Sequence, residues 1–200
     1  MDISLNYQYN LELAVNGNHA GILKLLLSDK RIDPSAKDNI AIIYAVSKGE
    51  EELVKRLLQD PRVDPNVEAG KKRGVSYSLL NTAVEYQYPK IVDLLLNDSR
   101  VSVSQEVLTQ ACRSKNLEII KMILWHPKLR LEDNSNLIAA CKNGNLALVK
   151  LFLSRGLDCS PDCNSAVIEA VQSNHPQVLK ALMAHVSVQV YYIAIDISQN

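Results

Sequence analysis

The stretch that decides the architecture is Ala45–Asn66, AVSKGEEELVKRLLQDPRVDPN. A short apolar segment runs to Gly49. A second one, LVKRLL, follows, and Pro61 and Pro65 then bracket RVD. Apolar residues three and four apart on both sides of the glycine describe two short helices, with a proline-bounded turn stopping the second. Helices this short bury too little surface to stand alone. The stretch therefore implies further copies of itself.

The copies are present. With Ala45 as anchor, equivalent alanines are Ala14, Ala83, Ala111, Ala140 and Ala170, and the six anchors are spaced by 31, 38, 28, 29 and 30 residues. A fixed period near 30 is the mark of a solenoid. Counted from each anchor, position −3 is always apolar: Leu11, Ile42, Leu80, Leu108, Leu137, Val167. Position +1 holds valine or cysteine. Positions +8 and +9 are Ile22-Leu23, Leu53-Val54, Ile91-Val92, Ile119-Ile120, Leu148-Val149 and Val178-Leu179, and a second apolar pair recurs at +12 and +13. The second helix thus shows the stripe of one core-facing side.

The turn between the helices falls at +4, occupied by Asn18, Gly49, Gln87, Lys115, Gly144 and Asn174. Glycine and asparagine tolerate a left-handed helix end. Gln87 and Lys115 depart from that rule, and strain is expected there. Pro89 and Pro176 stand at +6, the first position of a second helix, where proline is well tolerated. After each second helix comes one apolar residue: Ile32, Val63, Val101, Leu129, Leu157, Val188. The expected fold is all-α, six helix pairs over residues 8–38, 39–76, 77–104, 105–133, 134–163 and 164–188. Residues 189–200, QVYYIAIDISQN, are apolar where an array ordinarily ends in a polar cap. They are expected either to fold over the sixth repeat or to begin a seventh.

Composition narrows the function. Lys plus Arg equals Asp plus Glu, 22 each, in 200 residues, which argues against a surface built to neutralise phosphates, so no nucleic-acid partner is expected. No apolar run reaches the ~18 residues of a membrane span, and the first residues lack the pattern of a signal peptide. The expectation is a cytoplasmic, monomeric chain without a membrane or a cofactor. Four cysteines are too few for a disulfide scaffold. Cys112 and Cys141 fill the +1 column and read as small hydrophobes. Cys159 and Cys163, with His126 or His185, could form part of a metal site; packing is the simpler reading, and no metal is expected. No arrangement of Ser, His and Asp stands out, no glycine loop could cradle a phosphate, and the chain is read as a non-enzyme.

At this point the columns resemble the ankyrin repeat. Ala140-Cys141, Gly144, Leu148-Val149, Phe152-Leu153 and Gly156-Leu157-Asp158 follow that family's pattern closely, and the resemblance runs from about residue 8 to 188. Two features depart from it. The family's T-P-L-H opening is missing from all six copies, and its G-A-D turn is replaced by forms such as DPRVD. Arrays of this divergent kind are associated with unicellular eukaryotes and their viruses or pathogens, which would make the host cytoplasm a location. The resemblance gives His19 and His175, at +5, a structural role in bonding neighbouring backbone. It also implies that the chain binds another protein through a concave face and loop tips. The alternative is the adaptor part of a larger protein, such as a pathogen effector or a ubiquitin-ligase substrate receptor.

Columns +2 and +3 of the first helix point away from the core, towards the concave side that the resemblance implies. They hold Asn16-Gly17, Ser47-Lys48, Glu85-Tyr86, Arg113-Ser114, Lys142-Asn143 and Gln172-Ser173. Tyr86 and Arg113 are residue types enriched at binding hot spots. Lys48 and Lys142 flank them, Glu85 is the one acid, and Tyr77 sits in the preceding loop. Trp125, the sole tryptophan, occupies a column otherwise small or polar; it is either an exposed contact or the cover of its own turn. The 38-residue spacing marks an insertion within PNVEAGKKRGVSYS, where Gly70 and Gly74 flank Lys71, Lys72 and Arg73. This reads as a solvated loop or as a basic finger for an acidic partner.

Overall fold

The computed structural model describes residues 3–72, 75–131, 133–156 and 163–185. It has two compact units, residues 1–128 and 129–200. The first contains α1 (Ile3–Asn16), α2 (Ala20–Leu26), α3 (Ala36–Lys48), α4 (Glu51–Leu58), β1 (Glu68–Lys72), β2 (Val75–Ser78), α5 (Leu79–Glu85), α6 (Pro89–Leu96), α7 (Gln105–Ser114) and α8 (Leu117–Leu124). The second contains α9 (Ser135–Lys142), α10 (Leu146–Ser154), α11 (Cys163–Gln172) and α12 (Pro176–His185). These are the six expected helix pairs. First helices pack on first helices, α1 on α3, α3 on α5 and α5 on α7; α4, α6 and α8 pack likewise. In the second unit α9 packs on α11 and α10 on α12. Residues 189–200, and Leu157, Cys159 and Val188 of the repeat columns, lie outside the described residues.

Every pair turns at the same residue. All six +4 positions are left-handed, with φ of 57° at Asn18, 73° at Gly49, 58° at Gln87, 60° at Lys115, 66° at Gly144 and 57° at Asn174. In five of the six turns the anchor alanine's carbonyl accepts the N–H of the +5 residue, at 2.8–3.0 Å (His19, Glu50, Tyr88, Asn145 and His175). In the fourth repeat Ser114 Oγ donates to the Ala111 carbonyl instead, at 2.8 Å. Gln87 and Lys115 hold this geometry without glycine, at roughly 1–2 kcal/mol each. Glycine is required for a second reason at two turns: a Cβ on Gly49 would lie 3.0 Å from the Tyr88 ring, and one on Gly144 would lie 2.6 Å from the His175 ring.

Three features were not anticipated. Lys37, Asp38 and Asn39 form a left-handed run at the start of α3, with φ of 55°, 54° and 63°; Asn39 Oδ1 accepts the Asp64 N–H at 2.9 Å. The insertion is ordered as an antiparallel ribbon, pairing Glu68 with Ser78, Gly70 with Tyr77, Lys71 with Ser76 and Lys72 with Val75. Its second strand runs directly into α5, whose N-cap Ser78 accepts the Asn81 N–H. The third feature is a clamp at positions +15 and +17. Asp29-Arg31, Asp60-Arg62 and Asp98-Arg100 each form a charge-assisted pair, closing at 2.6, 2.7 and 2.6 Å.

Those hydrogen bonds hold the carboxyls below the usual range, Asp29 at about 2, with Asp60 and Asp98 lowered for the same reason. Arg100 goes further and ties two repeats together, donating to the carbonyls of Leu58 and Val63, both at 2.8 Å. In the fourth repeat His126 and Lys128 take these places. His126 Nε2 donates to the Leu96 carbonyl at 3.1 Å, and Lys128 Nζ to Ser99 and Val101. Because His126 Nδ1 accepts the Lys128 N–H, the ring carries its proton on Nε2.

Two outcomes are expected. Arg100→Ala should cost about 1.5–3 kcal/mol in urea unfolding, the range for hydrogen bonds to charged groups. Arg62→Ala, whose bonds stay with the carboxylates of Asp60 and Asp33, should cost about 0.5 kcal/mol. The depressed carboxyls stabilise the fold above the free carboxylate pKa of ~3.9, and that contribution disappears as pH falls towards about 2; Asp98→Asn should flatten the acid limb. Separately, Asn136 lies in column −4, which holds buried Ala41, Leu79, Val107 and Ala166, and its Nδ2 is buried without a hydrogen bond. Asn136→Val should raise stability by about 1 kcal/mol, read from the same curves.

Candidate functional site

The +2 and +3 columns point outward as their positions require: every one of these twelve residues is exposed or half-buried. In the first unit, stacking of α3, α5 and α7 sets Lys48, Glu85, Tyr86 and Arg113 at the same end of adjacent helices. Lys48 closes α3, Tyr86 is the C-cap of α5, and Arg113 lies in the last turn of α7. Lys48 and Arg113 are exposed and Glu85 is half-buried. Tyr86 is 55% exposed. Its ring stacks on Tyr88 with centroids 6.0 Å apart and planes inclined by 27°. Tyr88 in turn covers Gly49, so the exposed ring rests on a chain of contacts that joins the third repeat to the second.

The other candidates are placed differently. Tyr77 is half-buried in β2, opposite Gly70, rather than in a loop. Lys71 and Lys72 belong to β1, and Arg73 lies outside the described residues. Trp125 follows α8 as its C-cap and is 50% exposed. Lys142 belongs to the second unit. There its ammonium pairs with Glu169 at 3.4 Å, and its carbonyl accepts from His175 Nε2 at 3.0 Å. The structural role assigned to His175 is thereby explained, and His19 packs its ring against Gly17. The turns that hold Lys142, His126 and Lys128 are sites of inter-repeat bonding. The first three anchors are followed by Asp-x-Arg at +15 and +17, a recurrence readable in the sequence, whereas the fourth carries His126 and Lys128 at those positions.

Among the described residues no group of three or more His, Cys, Asp or Glu could hold a metal, and no helix is long and apolar enough to cross a membrane. A cleft of about 500 Å³ opens beside Asp29, Ile32, Pro34, Arg56 and Arg62. Its acids are already engaged, Asp29 by Arg31 and Asp60 by Arg62, and Arg56 donates to the Leu27 carbonyl at 2.9 Å. Cys112 is half-buried and Cys141 buried, neither in a disulfide, in keeping with a packing role. Burial pushes the Cys112 thiol up to about 11.

Paired helices turning on a left-handed residue and recurring at a period near 30 residues define a helical repeat protein. The sequence profile for ankyrin repeats in three copies matches residues 11–106 and 108–192, and the chain belongs to the ankyrin repeat family. An ankyrin repeat protein of Acanthamoeba polyphaga mimivirus, R837, is 28% identical over 107 residues, 54% of this chain. The matched stretch spans only 17% of that relative's length. Among solved structures, the ankyrin repeat domain of Bcl-3, a member of the IkappaB family, superposes with a TM-score of 0.69 at 17% identity, over 90% of this chain and 87% of that one. That likeness is one of fold. Ankyrin repeats generally mediate protein–protein interactions, and the fold is a scaffold for binding.

A thiol at about 11 is a poor nucleophile near neutrality. At pH 8, iodoacetamide should modify Cys112 about 200-fold more slowly than a free cysteine of pKa ~8.5, with labelling located by peptide mass spectrometry. Rapid labelling of the folded chain would contradict the packing role.

Proposed function

We propose that this chain binds a partner protein through the exposed helix ends of its second, third and fourth repeats, with Tyr86 as the anchor and Arg113 and Lys48 around it. The observation that carries the reading is the Tyr86–Tyr88 stack. It holds a half-exposed aromatic ring in a column with no packing duty, so little side-chain freedom is lost when a partner covers it. The surroundings are mildly basic, and the segment they fit bears carboxylates beside an apolar side chain. Binding is by surface complementarity, without catalysis or a cofactor, and the setting we propose is the cytoplasm. An adaptor role within a longer protein is compatible with this surface and uses the same residues.

The second reading places the contact on the ribbon of residues 68–78. Its support is that the insertion is an ordered β-ribbon carrying Lys71 and Lys72 in its first strand.

Tyr86→Ala with Arg113→Ala should abolish capture of the partner in a pull-down read by mass spectrometry. Each hot-spot truncation costs about 2 kcal/mol or more, roughly 30-fold in affinity. The thermal melt should stay within about 0.5 kcal/mol of the parent. Capture that survives this change but is lost on deletion of residues 69–75 would move the site to the ribbon.

A further inference from the structure

The junction between the first two repeats differs from the two that follow it. At position +17, Arg100 donates to the Val63 carbonyl at 2.8 Å and Lys128 to the Val101 carbonyl at 3.1 Å, so each cation closes the gap to the repeat before it. Arg62 holds the same position one repeat earlier and bonds its own aspartate in the same way. No hydrogen bond joins it to the equivalent Ile32 carbonyl; its Nη1 faces Asp33 instead, at 3.8 Å. The gap stays open as the cleft of about 500 Å³.

Two departures from the repeat pattern converge on this cleft. Column +11 holds Leu25, Leu94, Met122, Leu151 and Ala181 in the other repeats, and Arg56 here. Column +16 holds Pro61, Ser99, Pro127, Gly156 and Val186, and Lys30 here. Each is the one charged residue of its column, and both line the cleft. Arg56 donates from Nη2 to the Leu27 carbonyl at 2.9 Å, which fixes the guanidinium and leaves its other N–H groups to point elsewhere. Lys30 has no hydrogen bond or ion pair among the described residues. The acids of the cleft are engaged already, Asp29 by Arg31 and Asp60 by Arg62. Leu27, Ile32, Pro34 and Leu57 supply apolar lining. Cations beside an apolar wall, with the neighbouring carboxylates spent, call for an anion with an apolar body.

We propose that the cleft between the first two repeats binds a small organic anion, its carboxylate, phosphate or sulfonate head meeting Arg56 and Lys30 and its apolar body lying on Leu27, Ile32 and Leu57. The volume falls within the range of small-molecule sites, about 300–1,000 Å³. The planar guanidinium supplies forked donors suited to such a head, and the ammonium adds a second charge. The site shares no residue with the Tyr86 surface, so it goes beyond the protein-binding reading and the two can fail separately.

The test is a fluorescence titration of the full chain with 8-anilinonaphthalene-1-sulfonate, an aromatic body with one anionic head. Saturable binding of one probe per chain is expected, weakening as salt is raised. 1-Naphthoate should displace the probe; 1-naphthamide, of the same shape without the charge, should need at least about tenfold more to do so. Arg56→Leu and Lys30→Ser install residues that other repeats carry in these columns, and each should weaken the probe by about tenfold, the loss of one charged contact. A loosened fold takes up more of this probe rather than less, so a badly folded variant cannot imitate that result. Lys30→Ser, which removes no bond of the fold, decides the case if Arg56→Leu does not fold. A parent chain without saturable binding overturns the proposal. So does displacement by the amide as readily as by the carboxylate, or an affinity that Lys30→Ser and a folded Arg56→Leu leave unchanged, which would place the probe elsewhere.

Discussion

The structure depends on one backbone constraint, the residue four positions after each anchor alanine that turns the chain in the left-handed region. The anchor's carbonyl would be left without a helical partner at that point. The left-handed residue swings the following N–H onto it and sets the start of the second helix. The anchor is alanine because this is also where helices of neighbouring repeats pack: the six anchors are buried to within 4%. A larger side chain would separate the layers, and a right-handed residue at +4 would send the second helix elsewhere. The recurrence of the turn with asparagine, glutamine and lysine in place of glycine shows that stacking outweighs the local cost. Roughly 1–2 kcal/mol of strain at Gln87 or Lys115 is small beside the three apolar side chains that α6 buries and the four that α8 buries, at ~1.5–3 kcal/mol apiece.

Stacking leaves a second requirement, the carbonyls at the end of each second helix. Arg100 meets it by bonding forward into its own aspartate and backward into Leu58 and Val63. Lys128 and His126 meet it with different chemistry at the same two positions. Asp98 is held ionised by Arg100, and that carboxylate fixes the guanidinium in the plane from which it reaches the previous repeat. In the fourth repeat the first position keeps the same local bond, His126 Nδ1 accepting the Lys128 N–H as Asp98 accepts that of Arg100, and the ring adds a bond to the Leu96 carbonyl through Nε2. A polar cross-link at this turn is therefore satisfied by several residue pairs, provided one member can accept from backbone and the other can reach a carbonyl 27 to 42 residues earlier.

Periodicity made the helices, their order and their turns legible, because the columns at −3, 0, +8, +9 and +12 are decided by burial, and burial selects residue type strongly. The outward direction of Lys48, Tyr86 and Arg113 followed from the same columns by exclusion. The ribbon at residues 68–78 was not legible: Gly70, Gly74 and three consecutive basic residues read as a loop, and the pairing of Lys72 with Val75 depends on a cross-strand register that composition does not reveal. The left-handed run at Lys37–Asn39 was hidden for a related reason, since it is stabilised by Asn39 accepting from Asp64, 25 residues away. Tyr77 was placed in a loop for the same cause. The salt bridge that engages Lys142 requires knowing that column +2 of one repeat meets column −1 of the next.

The same division of labour separates binding from folding. Core columns, turn residues and the clamp at +15 and +17 carry most of the structural load, and of the +2 and +3 columns Ser47, Ser114 and Lys142 bond within the fold while Lys48, Tyr86 and Arg113 face outward. A substitution there changes what the surface can contact while the anchor alanine and its left-handed neighbour keep the helix pair in place. Tyr86 shows how such a freed position becomes specific. An exposed ring alone would be mobile, but Tyr88 packs beneath it and over Gly49, and Gly49 is glycine both for its φ of 73° and because a methyl group would meet that ring. The turn that builds the repeat is thus also the floor on which the most exposed aromatic of the binding face is mounted, and this links a backbone requirement of the second repeat to a contact surface on the third.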